Sequence, residues 1–131
     1  MSDYLFVYGT LQPRLAPREI ADAVAKLTHI GGATVRGLLY DLGEFPGAIL
    51  DPASELTISG TVFKLPDDPR ILAHFDRYEE FDPDSLETSQ FIRVSATVTL
   101  ESGGKLQCWV YVYNRDLASA AVLKSGRFPQ T

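Results

Sequence analysis

IRVSATVTLESGGKLQCWVYVY, residues 92–113, reads as two strands joined by a tight turn. Ile92, Val94, Ala96, Val98 and Leu100 point one way, and Arg93, Ser95, Thr97 and Thr99 point the other. Ser102-Gly103-Gly104 is a hairpin signal, and Leu106–Tyr113 forms the returning strand. Upstream, Leu5–Tyr8 reads as a buried first strand ended by Gly9, with further strands at Thr34–Leu42 and Ile58–Leu65. Pro17–Leu27 reads as a helix burying Ile20, Val24 and Leu27, with Gly31-Gly32 beyond its end. Asp67–Glu80 is a second helix, capped by Asp67 or Asp68 with Pro69 in its first turn. An acidic turn follows at Phe81-Asp82-Pro83-Asp84, and Asp116–Leu123 reads as a short final helix. The helices do not alternate regularly with the strands, and the late strands form a hairpin. The expected class is therefore α+β: a small mixed β-barrel of about five to six strands with flanking helices, not a doubly wound parallel sheet.

The 131 residues fit a single domain spanning 1–131. At 45% hydrophobic and 22% charged, the chain can bury a core without metals or disulfides. The formal net charge of −5 lacks the basic excess that marks a nucleic-acid surface or a polybasic membrane anchor. No run of about 18 apolar residues is present, so no membrane span is expected. Cys108 is the one cysteine, and with two histidines it is too little for a zinc cluster. The start of the chain does not read as a signal peptide. The expected setting is soluble, reducing and cytoplasmic.

Two places stand out for chemistry. Glu79 follows Phe75 by four residues and Leu72 by seven, which places its carboxyl on the buried helix face. Glu80 falls with Asp76 and Arg77 on the polar face. A carboxyl in apolar surroundings tends to hold its proton toward neutral pH and can serve as a proton carrier. The pattern is equally compatible with a frayed last turn in which Glu79 reaches water. The second place is Tyr8-Gly9-Thr10-Leu11, where a glycine after a buried strand can expose consecutive backbone N–H groups to an anion. An ordinary strand-ending turn would look the same. No phosphate-loop or dinucleotide-loop spacing occurs. His29 and His74 show no ligand spacing, and Cys108 alternates inward with Leu106 and Val110, as a small core residue does. Trp109, Tyr111 and Tyr113 share one strand face that either lines a cavity or packs on a helix.

Taken in order, several blocks resemble the γ-glutamylcyclotransferase-like superfamily. They are Val7-Tyr8-Gly9-Thr10-Leu11, then Gly37-Leu38-Leu39-Tyr40-Asp41-Leu42-Gly43 with Phe45-Pro46-Gly47-Ala48, then Phe75-Asp76-Arg77-Tyr78-Glu79, then Phe91-Ile92-Arg93. The resemblance implies a mixed barrel with one cavity. It implies that the loop of Tyr8, Gly9, Thr10 and Leu11 binds a γ-glutamyl group through backbone N–H groups, and that Glu79 accepts and donates the proton. It further implies cyclisation of a small γ-glutamyl substrate to 5-oxoproline with release of an amine or amino acid, and no metal or organic cofactor. Gln12-Pro13-Arg14 and Ser125-Gly126-Arg127 depart from the usual continuation of the motifs, which leaves the leaving group open. The competing expectation is a non-catalytic module that binds a small metabolite or peptide end in the same cavity.

Overall fold

A computed structural model describes residues 3–8, 18–43, 45–117 and 120–127. In chain order the elements are β1 (Tyr4–Val7), α1 (Arg18–Val24), β2 (Thr28–Asp41), β3 (Pro46–Leu50), β4 (Thr57–Lys64), α2 (Pro69–Tyr78), a 3-10 turn (Leu86–Thr88), β5 (Phe91–Leu100), β6 (Lys105–Tyr113) and β7 (Ala121–Val122). The alternation in β5 and β6 builds the expected hairpin, which runs in register from Phe91–Tyr113 to Thr99–Lys105.

Five strands close into a barrel. β2 pairs antiparallel with β4, β4 with β1, and β6 with β5. β1 and β6 run parallel at Leu5–Trp109, and β5 returns to β2 at Ala33–Leu100 and Thr34–Thr99. The sheet is therefore mixed, and closure leaves these strands largely without open edges. β2 is long enough to leave the barrel. Its second half pairs with β3 from Gly37–Leu50 to Asp41–Pro46, and its end pairs with β7.

Period-two alternation gives each strand two apolar faces, and the molecule has two packed layers. Phe6, Ile58, Val62, Val98, Cys108 and Val110 fill the barrel interior. Leu5, Val7, Phe63 and Tyr111 face outward and are covered by Ile20, Ala23 and Val24 of α1 and by Ile71 and Phe75 of α2. Cys108 is a core residue, and burial pushes its thiol up to about 11. His29 packs edge-on against Phe63, with ring centres 5.7 Å apart.

Two expectations need correction, and one strand was not expected. The first helix stops at Val24, not Leu27, and Gly31-Gly32 beyond it belong to β2, beside an irregularity between His29 and Gly31. Ala121–Val122 of the expected final helix form β7, because Tyr40 and Asp41 offer an open strand edge there. Pro46–Leu50 is a strand that the sequence reading did not separate from the motif containing it.

One glycine fixes how closely β1 approaches. A Cβ on Gly60 would lie 2.3 Å from the Val7 carbonyl oxygen and 2.8 Å from the Phe6 ring. Gly60→Ala is expected to displace β1, which carries Phe6 and leads into Tyr8, at a cost of about 1–3 kcal/mol. Thermal unfolding should show a Tm lowered by roughly 5–15 °C.

Candidate active site

The site is set by how α2 begins and ends. Asp68 caps its start, accepting from the Arg70 N–H at 3.0 Å, with Pro69 in the first turn. The helix ends at Tyr78, two residues earlier than the sequence reading placed it, and Glu79 is the C-cap. The Glu79 N–H donates to the Phe75 carbonyl at 2.9 Å, Glu80 to Arg77 at 3.1 Å, and Phe81 to Asp76 at 2.8 Å. The last two bonds form a Schellman cap, whose left-handed position usually belongs to glycine. Here Glu80 occupies it, at φ 56°. A non-glycine residue in that conformation costs about 1–2 kcal/mol. The Gln90 N–H holds the Glu80 carbonyl at 3.1 Å, tying the strained turn to the approach of β5.

This turn aims Glu79 into a pocket of about 210 Å³. The walls come from β1 (Phe6 and Val7, then Tyr8), the β3 entry (Phe45, Pro46), the end of α2 (Tyr78 to Glu80), Gln90 and Phe91, and Tyr111 of β6. The volume lies below the roughly 300–1,000 Å³ of drug-sized sites and suits a group the size of one amino acid. Burial, and secondarily the neighbouring Glu80 charge, push the Glu79 carboxyl up to about 8. Glu79 therefore keeps its proton at neutral pH.

A polar network backs the pocket. Arg93 grips Asp76 with two bonds, Nε to Oδ1 at 2.8 Å and a terminal nitrogen to Oδ2 at 3.1 Å. The guanidinium carbon lies 4.3 Å from the Trp109 ring centre and 5.7 Å from that of Phe81. Tyr111 donates its hydroxyl to Asp76 Oδ1 at 2.6 Å, and Tyr8 donates its hydroxyl to the Tyr111 carbonyl. The Ala48 N–H donates to the Tyr8 oxygen at 3.3 Å. Burial raises both phenols far above their usual range, and the Glu79 charge adds to each; for Tyr111 the bond to Asp76 is the second cause. Both tyrosines stay neutral.

Tyr8 and Glu79 thus share one pocket. Gly9, Thr10 and Leu11 lie outside the described residues. Asp76 is a correction: it is buried in the network, not on the polar face. Its partner Arg93 sits 17 residues away on another element, so helix periodicity carried no sign of the pair. Glu80, also expected on the polar face, lines the pocket because the left-handed turn swings it around. Tyr78, Gln90, Phe45 and Pro46 were missed as pocket residues; their positions depend on contacts between strand ends. Among the described residues, no group of three His, Cys, Asp or Glu is arranged to hold a metal ion. Among the same residues, no helix is long and apolar enough to cross a membrane.

The five-strand mixed barrel with two helices is the fold of several solved structures. YkqA from Bacillus subtilis superposes with a TM-score of 0.70 at 20% identity over 97% of this chain; the chain spans 39% of that protein's length. An AIG2-like protein from Mus musculus superposes with a TM-score of 0.65 at 21% identity, covering 86% of this chain and 77% of that one. The sequence itself narrows the class. The chain belongs to the family described as gamma-glutamyl cyclotransferase, AIG2-like, whose profile matches residues 5–130. A relative from Niallia circulans, the gamma-L-glutamyl-butirosin B gamma-glutamyl cyclotransferase, is 31% identical over 113 residues, covering 86% of this chain and 67% of the relative.

Proposed function

We propose that this protein cyclises the γ-glutamyl group of a small substrate to 5-oxoproline and releases the attached amine, with Glu79 moving the proton. The observation that carries this reading is a carboxyl on the wall of an amino-acid-sized pocket, held protonated up to about pH 8. The substrate arrives with an α-ammonium, whose positive charge beside Glu79 favours the carboxylate. Glu79 takes a proton from that ammonium. The freed amine attacks the γ-carbonyl, closing a five-membered ring. The γ-C–N bond then breaks as Glu79 returns the proton to the leaving amine. Nucleophile and electrophile share one molecule, so positioning supplies much of the acceleration. The segment from Tyr8 to Leu11 is proposed to hold the γ-glutamyl half, as its resemblance to the family motif implies. The relative's substrate, by its name γ-L-glutamyl-butirosin B, shares that half with every γ-glutamyl compound. The cytoplasm, with its reducing chemistry, is the proposed setting.

Incubation with a panel of γ-glutamyl amino acids, peptides and amines, read by mass spectrometry for 5-oxoproline, tests the reading. Release from at least one member supports it; binding without release would favour the non-catalytic module.

The pH profile adds a second check. A base acts only when ionised, so kcat/KM should rise as pH climbs toward about 8. Glu80→Gln removes the like charge that helps hold the Glu79 proton. The rising limb should move to lower pH in that variant. A limb that stays in place would show that the two carboxyls do not interact.

A further inference from the structure

The two phenolic hydroxyls at the pocket spend their protons on its backing. Tyr111 gives its proton to Asp76, and Arg93 holds Asp76 from the opposite side with two bonds. Tyr8 gives its proton to the Tyr111 carbonyl. A tyrosine whose single O–H is committed can only accept at its remaining lone pair. Tyr8 already accepts from the Ala48 N–H. The Tyr111 oxygen has no such donor among the described residues; Tyr111 lines the pocket together with Glu79, whose charge acts on the phenol. A pocket lined by a carboxyl and by a tyrosine whose oxygen can still accept suits a small cationic donor.

We infer that the Arg93–Asp76 pair fixes the Tyr111 hydroxyl as a hydrogen-bond acceptor for the α-ammonium of the γ-glutamyl group, making Tyr111 a substrate-orienting residue beside Glu79. This rests on the function proposed above and adds a residue to it. The role follows from proton accounting. If the Asp76 carboxylate were absent, Tyr111 could turn its O–H into the pocket and would then repel an ammonium. Burial and the nearby negative charge keep the phenol from ionising, so the oxygen stays a neutral acceptor. It can orient the ammonium without competing with Glu79 for its proton. The nitrogen that must attack is thereby held at one wall of the pocket while Glu79 deprotonates it.

The test compares L-glutamine, the smallest γ-glutamyl amide, with glutaramate, the same molecule without its α-amine. Both are titrated by NMR into wild type and Tyr111→Phe, a readout that needs no turnover. Wild type should prefer L-glutamine. In Tyr111→Phe the L-glutamine affinity should fall roughly tenfold, the scale of a hydrogen bond to a charged group, while glutaramate binding stays unchanged. Tyr111→Phe keeps the ring and leaves Asp76 both bonds from Arg93, so the fold should persist; thermal unfolding verifies it. Equal weakening of both ligands would assign Tyr111 a purely structural role and overturn the inference, as would an undiminished preference for L-glutamine. If wild type turns over γ-glutamyl substrates but the variant keeps its preference, only this inference fails. If wild type binds neither ligand and releases no 5-oxoproline, the functional reading fails first and this inference with it.

Discussion

Glu79→Gln should abolish most turnover while making the protein harder to unfold in alkali. Gln matches Glu in size and can neither accept nor return a proton, so the general acid–base contribution, about 10²–10⁴-fold, disappears. The stability change follows from the same proton. The folded carboxyl titrates near 8 and the unfolded one near 4.5. Between those values the folded state binds a proton that the unfolded state has released. Stability then falls as pH rises through that window and levels off above it. Gln carries no such penalty. Relative to wild type, the variant should gain stability steadily from about pH 4.5 to 8, by an amount on the order of a few kcal/mol. Chemical denaturation at pH 5 and pH 9, beside a 5-oxoproline assay, measures both halves. Retained turnover would remove Glu79 from the chemistry. Equal stability differences at both pH values would place its carboxyl in water.

Asp76→Ala should be the most destabilising polar substitution at the site. Asp76 and Arg93 have side chains only 12% and 17% exposed, and the substitution leaves the guanidinium and the Tyr111 hydroxyl without their acceptor. Breaking such a pair costs about 3–5 kcal/mol, against a total stability of about 5–15 kcal/mol for an ordinary domain. Arg93→Met in the Asp76→Ala background removes the orphaned charge and should recover part of the loss. Urea unfolding of the two single variants and the double variant gives the coupling directly. A loss under 1 kcal/mol for Asp76→Ala would mean that water reaches Arg93 freely, since exposed pairs contribute that little.

What could be read from the sequence was local. The β5–β6 hairpin follows from strict alternation and a Gly-Gly turn. The phase of Glu79 follows from Phe75 four residues earlier, and it survives even though α2 ends at Tyr78. What could not be read depends on distant partners. Pro46-Gly47-Ala48 carries the residues least suited to a strand, and becomes one because β2 overshoots the barrel and offers its edge. Gly31-Gly32 looks like a helix stop in isolation, yet pairs with Val62 and Thr61. Asp76 reads as a surface acid until Arg93 and Tyr111 are brought against it. The left-handed Glu80 escapes notice for a related reason: the Schellman cap prefers glycine, and nothing in the local pattern announces an exception.

The parallel contact between Leu5 and Trp109 carries a cost in time. These residues lie about a hundred positions apart, and closing so long a loop takes on the order of 4 kcal/mol of chain entropy before any packing repays it. β1 brings Phe6 and Val7 to the pocket, with Tyr8 directly after it, and β6 brings Tyr111. During synthesis, a chain that has not yet released β6 holds Glu79 and its helix but no enclosed pocket. The pocket therefore waits on one of the last pairings the fold can make, and an incompletely made chain lacks it.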